Sequence, residues 1–313
     1  MRRVPRRGFR GFARYAAQVR RRLVLLVSPT AGGGRAGRGE PKVRARLQQH
    51  GFEVIAVRAV DAAHAEAFAR GAVARGCDAV VAVGGDGTVA TALQAVAGTE
   101  VPLGIVALGT GNDAAAGLGL PVGDPWKAAE VIAAWRPRRV DAAQARTGDG
   151  RHRWFLGVLS TGFDAMVNER AAQLEHWPGR TRYLAALAAG LRTFEPLPFE
   201  VTVDDRRLLG PAMFTAIGNG VRYGGGMRVC EGAVIDDGLL TMTWIHPLPK
   251  GRFVRMFPGV YRGSHVALPD VTQHVGARFR VVCDGQVAYA DGERLGPLPV
   301  DVDVRPGSLQ VLS

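Results

Sequence analysis

The chain has 313 residues, of which 47% are hydrophobic and 22% are charged, so it is a globular protein large enough for two domains. No apolar run approaches the roughly 18–20 residues that a membrane-spanning helix needs. The short apolar run Leu23–Val27 favours a strand over a secretory leader. Three widely spaced cysteines without a CxxC pair argue against a disulfide framework and a zinc site. We therefore expect a cytoplasmic protein.

The net charge of +12 is concentrated at the N-terminus. Residues 1–46 contain 14 of the 40 Lys and Arg residues and a single acidic residue, Glu40, whereas the rest of the chain is close to neutral. We predict that residues 1–21 form a basic, disordered tail. Such a tail is either a solvated extension or a contact to anionic lipid or to nucleic acid. Three aromatic residues among its arginines slightly favour a membrane surface, but they could also stack on bases, so the tail alone does not decide between the two.

Residues 22–145 alternate between strand and helix patterns. Strands are predicted at Leu23–Val27, Val54–Val57, Ala79–Val83 and Leu103–Leu108, and helices at Lys42–Gln49, at Ala63–Ala74, after Thr88 and around Trp126–Trp135. Strands that alternate with helices indicate a doubly wound parallel sheet. Because such sheets bind ligands at the carboxyl ends of their strands, the residues that follow each strand are the candidate binding residues.

Residues 146–313 form a second predicted domain that is richer in short strands. Strands are expected at Trp154–Ser160, Phe199–Asp204, Met213–Gly218, Leu239–Trp244, Phe279–Cys283 and Val300–Val304, and helices at Asp164–Glu175 and Arg182–Phe194. These runs predict an antiparallel β-sandwich. The predicted fold class is therefore α/β, with a parallel-sheet domain to which the C-terminal residues can return. The cleft between the two domains is the expected active site.

Two glycine turns carry the strongest functional signal. They are Gly84-Gly85-Asp86-Gly87-Thr88, which leads into a helix at Val89, and Gly109-Thr110-Gly111-Asn112-Asp113 after the next strand. Glycines let backbone N–H groups approach phosphate oxygens at a helix N-terminus. Thr88 and Thr110 add hydroxyl groups at the same level of the sheet. Two such turns on adjacent strands predict a site for a polyphosphate.

Asp86 within the first turn has three interpretations. A carboxylate repels phosphate, so Asp86 either holds the water shell of a magnesium ion, braces the turn through hydrogen bonds, or caps the following helix. A cap explains Asp86 alone and leaves the three glycines of the turn unexplained.

An earlier glycine run, Gly32–Gly37, formally matches the GxGxxG pattern of nicotinamide-binding proteins. Such a site also needs an acidic residue about 20 positions further on, at the end of the second strand, and Asp61 comes late for that role. The run also fails as a Walker A loop, because Arg38-Gly39 replaces the Lys-Ser/Thr pair.

The sequence resembles the diacylglycerol kinase catalytic family, specifically the soluble bacterial lipid kinases. The resemblance rests on segments in a fixed order, namely Gly84–Thr88, Gly109–Asp113, Thr161–Ala165, Asn219-Gly220 with Gly224–Gly226 and Ala233–Leu240, and Asp291–Glu293. NAD kinases and 6-phosphofructokinases share the first segment, but the ordered set over residues 23–313 is specific.

The resemblance implies an ATP-dependent kinase that phosphorylates the hydroxyl of diacylglycerol or a similar lipid, with ATP and Mg²⁺ as cofactors. It implies that the ATP phosphates bind to Gly84, Gly85, Asp86, Gly87, Thr88, Val89, Thr110, Asn112 and Asp113. It also implies that Glu293 is the general base, next to Asp291 as a second catalytic residue. From the residues alone, an exposed acid in a hairpin turn is the favoured interpretation of Glu293, and only the family resemblance reverses this preference.

A structural magnesium site in the second domain is also implied by the resemblance. Its ligands would be the Asp237 side chain and the backbone carbonyls of Val234 and Leu239, an all-oxygen set that suits a hard cation. An Asp-Gly hairpin turn explains the same residues without a metal.

Other functions stay open at this stage. One is an NAD kinase-like activity on a soluble substrate. Another is a catalytically weak nucleotide-binding regulator, because Ala59, Ala90 and Ala114 stand where the family carries polar or aromatic residues. Specific nucleic-acid binding is not expected, since only the arginine-rich tail suggests it. We expect a lipid partner at the membrane surface, contacted through the basic N-terminus, and a homodimer is an open alternative to a monomer.

Overall fold

The computed structural model describes residues 20–173 and 179–313. The predicted tail at 1–21 lies outside the described residues except for its last two positions, as does the end of the predicted helix Asp164–Glu175. Within the described ranges, two β-sheets and the helices that cover them form the fold.

The N-terminal half is a parallel sheet with helices on both faces. Its strands are β1 (Arg22–Val27), β2 (Glu53–Arg58), β3 (Ala79–Gly84) and β4 (Leu103–Ala107), and its helices are α1 (Ala31–Gln49), α2 (Ala62–Ala74), α3 (Asp86–Val96), α4 (Asp113–Gly117) and α5 (Pro125–Ala133). The strands pair in the order β2-β1-β3-β4. Along β1, Leu23 and Leu25 pack with α1 and α5, whereas Val24 and Leu26 pack with α2 and α3. The predicted doubly wound arrangement is confirmed.

The C-terminal half extends this sheet with antiparallel strands and stacks a second sheet on the extension. Its strands are β5 (Pro137–Thr147), β6 (His152–Phe155), β7 (Val158–Gly162), β8 (Leu197–Val203), β9 (Arg206–Ala212), β10 (Phe214–Gly218), β11 (Leu240–Ile245), β12 (Val271–Gly276), β13 (Arg278–Val282), β14 (Val287–Ala290), β15 (Glu293–Pro297) and β16 (Val300–Leu312). The first sheet continues as β4-β16-β13-β8-β9, and the second has the order β12-β11-β10-β7-β14-β15. Phe155, Phe199, Ile217 and Val281 share one core between the sheets, so the predicted sandwich is confirmed.

Three further helices, α6 (Phe163–Gln173), α7 (Gly179–Thr193) and α8 (Lys250–Val260), pack beside the second sheet. Phe163 makes edge-on contacts with Phe194 and Phe253, with ring centroids 5.2 Å and 5.0 Å apart. These contacts join α6 to α8 and to the residue that follows α7, and they build a helical wall beside the sandwich.

The predicted strand Trp154–Ser160 is wrong as a single element. The chain breaks at Leu156 and Gly157, between β6 and β7, because the backbone N–H groups there point at the carboxylate of Asp291. A strand cannot direct these N–H groups to a side chain and to a neighbouring strand at once.

The predicted strand Val300–Val304 is correct but too short, since β16 continues to Leu312. The continuation pairs with β5 and reaches β4, where Val311 lies opposite Leu103. The C-terminal residues therefore return to the parallel sheet.

Candidate active site

The two glycine turns touch each other at the carboxyl edge of the parallel sheet. Gly85 follows β3 and Gly109 follows β4, and a Cβ atom on Gly109 would lie 2.3 Å from the Cα of Gly85. A Cβ on Gly85 would in turn lie 3.1 Å from the Cα of Gly109. The backbones therefore approach so closely that only glycine fits at Gly109 without a shift.

Asp86 connects the two turns through its carboxylate. It accepts hydrogen bonds from the backbone N–H of Asn112 at 2.7 Å and of Ala114 at 3.0 Å. The N-cap position of α3 belongs to Gly85 and carries no side-chain cap bond, so the capping interpretation of Asp86 is wrong. The observed hydrogen bonds are those of the bracing interpretation, and they fix the second turn on the first.

Asn112 closes the second turn on itself. Its backbone is left-handed, with φ of 63°. Its Oδ1 accepts from the N–H of Gly109 at 2.8 Å, and its Nδ2 donates to the Gly109 carbonyl at 3.0 Å. The side chain is buried, so its amide shapes the turn and leaves the exposed Thr110 and Gly111 facing solvent.

Asp113 joins the parallel-sheet half to the sandwich half. Its carboxylate accepts from the backbone N–H of Gly225 at 2.6 Å, in a run of three left-handed glycines, Gly224–Gly226. Burial raises the pKa of Asp113, hydrogen bonds from Gly225 and Gly226 oppose this, and the charge of Asp86 raises it further. Asp113 thus holds a loop of one half against a turn of the other.

Asp291 holds a second contact between loops. Its carboxylate accepts three backbone N–H bonds, from Leu156 at 2.8 Å, Gly157 at 2.9 Å and Val158 at 3.1 Å. Burial raises the pKa of Asp291 to about 6, although the three N–H bonds act in the opposite direction. Asp291 therefore anchors the hairpin that carries Glu293 to the loop between β6 and β7.

Glu293 differs from these carboxylates because it is exposed and makes no hydrogen bond or ion pair within residues 20–173 and 179–313. It begins β15, and it faces the first glycine turn: a Cβ on Gly87 would lie 3.5 Å from its Oε1. Folding therefore brings the free carboxylate of Glu293 beside a turn some 200 positions earlier in the chain.

The remaining predicted phosphate-binding residues lie at the same edge. The Thr88 hydroxyl sits over Gly84, where an added Cβ would lie 2.2 Å from Oγ1. Thr110 is exposed, and Val89 is buried on the first turn of α3. The structure thus brings all nine predicted ATP-binding residues to one place, together with Glu293 and Asp291.

A cavity of about 800 Å³ starts at these turns and runs between the two halves. Its polar lining includes Asp86, Thr110, Asp113 and Asp291. Its apolar lining includes Leu187, Met227, Phe257 and Tyr261, which come from the helical wall and neighbouring segments. The cavity therefore combines a site for an anion with a site for a hydrocarbon group.

Two contributors to this region were missed from the sequence. Gly32–Gly34 are all left-handed, and Gly32 lies against the residue after β4, where an added Cβ would be 2.0 Å from the Leu108 carbonyl oxygen. The Arg35 guanidinium donates to the carbonyl of Gly109. The glycine run after β1 was noted in the sequence, but it was compared only with nicotinamide-binding and Walker A motifs. That comparison did not predict that the run supports the Gly109–Asp113 turn.

The second contributor is Asp164, which lies in the Thr161–Ala165 segment used for the resemblance but was given no role there, and which is buried beside the cavity. It accepts from Ser160 Oγ at 2.6 Å and from Asn168 Nδ2 at 3.2 Å. Burial raises the pKa of Asp164, and these hydrogen bonds act against the rise. An acidic residue within an otherwise apolar strand-to-helix segment was the available signal.

The three predicted magnesium ligands lie apart from the glycine turns, on an exposed loop before β11. Asp237 uses one carboxylate oxygen to accept from the N–H of Leu239 at 3.0 Å, as in a simple turn. Val234 and Leu239 are exposed at 48% and 39%. In the described part of the chain, no group of three or more His, Cys, Asp or Glu side chains is arranged to bind a metal.

The two halves of the chain match two family models. Residues 22–145 match the diacylglycerol kinase catalytic domain, and residues 157–313 match the YegS C-terminal NAD kinase beta sandwich-like domain. The chain is 38% identical over 303 residues to a diacylglycerol kinase of Mycobacterium tuberculosis strain H37Rv, which covers 95% of this chain and 98% of the relative. The chain belongs to the diacylglycerol kinase catalytic family. The family predicted from the ordered motifs is thereby confirmed.

Further members of the diacylglycerol kinase family are similar over most of their length. A Xanthomonas campestris pv. campestris protein named "Probable lipid kinase YegS-like" is 34% identical over 267 residues, covering 83% of this chain and 82% of that protein. The crystal structure of a diacylglycerol kinase from Bacillus anthracis str. Sterne has the same fold, with a TM-score of 0.69 at 20% identity over 93% of this chain and 96% of that chain. Membership in a kinase family implies the use of ATP. No helix in the described ranges is long and apolar enough to span a bilayer.

Proposed function

We propose that the protein transfers the γ-phosphate of ATP to the hydroxyl of diacylglycerol or a similar lipid at the membrane surface. The observation that carries the proposal is the Glu293 carboxylate, which has no partner among the described residues and lies beside the Gly84–Thr88 turn. Its neighbours Asp291 and Gly292 line a cavity that has both polar and apolar walls. A phosphate donor and a hydrocarbon acceptor meet at this carboxylate.

The glycine turns bind and orient the phosphates of ATP. Backbone N–H groups at the start of α3 offer a positive dipole end, and the absence of side chains at Gly85, Gly87 and Gly111 lets phosphate oxygens approach them. The carboxylates of Asp86 and Asp113 accept hydrogen bonds from backbone N–H groups, so their role is to keep the turns fixed before ATP binds.

Glu293 acts as the general base. Its carboxylate takes the proton of the lipid hydroxyl while the hydroxyl oxygen attacks the γ-phosphorus, the bond from that phosphorus to the bridging oxygen breaks, and ADP leaves. Because Glu293 makes no hydrogen bond among the described residues, the carboxylate is free to accept this proton. Asp291 positions Glu293 by anchoring the hairpin.

Mg²⁺ is part of the proposal as the companion of ATP and as a structural ion. For the structural site, Asp237 keeps one carboxylate oxygen outside its turn bond, and the exposed Val234 and Leu239 lie beside it on an exposed loop. This is an oxygen set that fits a hydrated hard cation. Such an ion would stabilise the loop before β11, and Mg²⁺ bound to ATP would neutralise phosphate charge.

Phosphate transfer from labelled ATP to diacylglycerol in neutral detergent micelles tests the proposal, with the Glu293→Gln variant as the decisive comparison. Loss of the base should lower kcat by about 10²- to 10⁴-fold. The unfolding midpoint should stay unchanged because Glu293 has no partner to lose within residues 20–173 and 179–313. The Glu53→Gln variant is the matched control, an exposed glutamate at the far end of the sheet that forms no ion pair with the described residues. Full activity of Glu293→Gln, or transfer to no lipid by the wild type, would refute the proposal.

A further inference from the structure

Helix α8 and the two residues that follow it form a compact basic segment. Residues 250–262 contain four basic residues and no acidic one, whereas the chain beyond residue 46 is close to neutral as a whole. This segment is therefore a local concentration of positive charge on the sandwich half.

The basic side chains of this segment are only partly neutralised. Arg252 forms an ion pair with Asp270 at 2.7 Å, and Lys250 donates to the backbone carbonyl of Arg192 at 2.6 Å. Arg255 and Arg262 are exposed, and neither has a carboxylate partner in the described part of the chain. Two exposed guanidinium groups thus lie at the C-terminal part of this segment, Arg255 on α8 and Arg262 just after the helix ends.

The same segment exposes large apolar side chains. Val254 and Tyr261 are each 49% exposed. The opposite face of α8 is fixed in the protein core by Phe253, Met256 and Val260. The helix is therefore held rigidly with a basic and apolar face turned outward, the composition of a helix that lies in a membrane interface.

This outward face adjoins the cavity. Tyr261 lines the cavity and is half exposed, so it stands at the rim, and Phe257 lines the cavity one turn earlier. An apolar molecule that leaves a bilayer at α8 therefore meets the cavity without crossing open water.

We propose that the α8 face, formed by Val254, Arg255, Tyr261 and Arg262, docks on an anionic phospholipid bilayer and delivers the lipid substrate into the cavity. This inference rests on the proposed lipid kinase function. The two arginines attract the anionic lipid headgroups. Their aliphatic stems and Val254 contact the apolar part of the bilayer interface. Tyr261 suits the interface because its ring is apolar and its hydroxyl is polar.

Co-sedimentation of the full-length protein with vesicles of phosphatidylglycerol and phosphatidylcholine tests the docking face. Each basic residue near an anionic surface strengthens partitioning about fivefold, so the Arg255→Glu/Arg262→Glu variant should bind phosphatidylglycerol vesicles at least about 10-fold more weakly. The matched control is Arg75→Glu/Arg136→Glu, which changes the net charge equally. Both control arginines are exposed and precede strands, at the edge of the first sheet opposite the glycine turns.

An equal loss of binding in both double variants, or no loss in the Arg255→Glu/Arg262→Glu variant, would overturn the docking face.

Phosphate transfer to diacylglycerol in neutral micelles, which need no anionic surface, separates the docking proposal from the lipid kinase proposal. Activity of the first variant within about threefold of wild type there, together with weak vesicle binding, supports the docking face. An inactive wild type in micelles refutes the kinase function whatever the vesicle result. The milder Arg255→Gln/Arg262→Gln variant replaces the charge reversal if its unfolding midpoint is lowered, and it should bind anionic vesicles with an intermediate affinity.

Discussion

The contact between the two glycine turns makes Gly109 the most sensitive small residue of the site. Replacing it with alanine places a Cβ 2.3 Å from the Cα of Gly85 and 3.0 Å from Oδ1 of Asn112. Neither neighbour is the free end of a flexible side chain, since one is backbone and the other is held by two hydrogen bonds. The turns themselves must therefore move apart.

The required movement sets the size of the effect. Carbon atoms in contact prefer about 3.5–4.0 Å, so the turns must separate by more than about 1 Å. Overpacking of this kind costs about 1–3 kcal/mol, which at about 2.1 cal/mol/K per residue lowers the unfolding midpoint of a chain of this size by roughly 2–5 °C. A displacement of about 1 Å in a phosphate-binding turn lowers kcat/KM for ATP by up to about 100-fold.

Steady-state kinetics with varied ATP and a thermal melt measure both effects of Gly109→Ala. The control is Gly251→Ala, at an exposed position of α8 where an added Cβ has nothing within 4 Å. This control should keep the wild-type KM for ATP, and its unfolding midpoint should be equal or slightly higher. If Gly109→Ala has the KM for ATP and the melting behaviour of the control, the two turns are not in steric contact, and the argument that glycine is required there is refuted.

Three other perturbations probe the hydrogen bonds of the site. Asp86→Asn points an amide N–H₂ at one of the two backbone N–H groups that Asp86 now accepts from, so the free energy of unfolding measured in urea should fall by about 1–3 kcal/mol. An ATP titration of the same variant should show a higher KM. An unchanged free energy of unfolding would contradict the bracing role. Glu169→Gln weakens the bonds from Tyr289 at 2.6 Å and Arg294 at 2.7 Å that hold the Glu293 hairpin, so kcat should fall about 3- to 10-fold at unchanged KM for ATP. Burial raises the pKa of Asp291 in the folded protein to about 6 from 3.8, so the stability it contributes is fully present below about pH 4 and is lost as the pH rises through 6. Relative to Asp291→Asn, the wild type should lose at most about 3 kcal/mol between pH 4 and pH 7, and a gain over that range would show the opposite pKa shift.

The sequence was sufficient to predict the strands of the parallel half and the position of its turns. Buried parallel strands such as Ala79–Val83 are continuous apolar runs, and the glycines after them mark the carboxyl edge of the sheet. The convergence of the Gly84–Thr88 and Gly109–Asp113 turns follows because neighbouring parallel strands end at the same edge.

Contacts between distant loops could not be predicted in this way. Asp113 and Gly225 are separated by more than 100 positions, and a backbone N–H donor leaves no signal in the residue type that carries it. Strand β5 was missed because it begins with exposed charged residues and becomes apolar only from Val140 onward. The roles of Asp86 and Asn112 as braces likewise depend on which N–H groups the fold brings within reach.

The C-terminal strand β16 connects the two halves that border the cavity. It pairs with β13 of the sandwich and with β5, and at Val311 it lies beside Leu103 of the parallel sheet. Leu309 and Val311 are fully buried in the core that α2 and α3 cover. A rotation of one half against the other would have to break this continuous ladder as well as the loop contacts made by Asp113 and Asp291. We therefore expect water to be excluded from the reacting hydroxyl by the lipid and the membrane face at α8, and not by closure of the two halves.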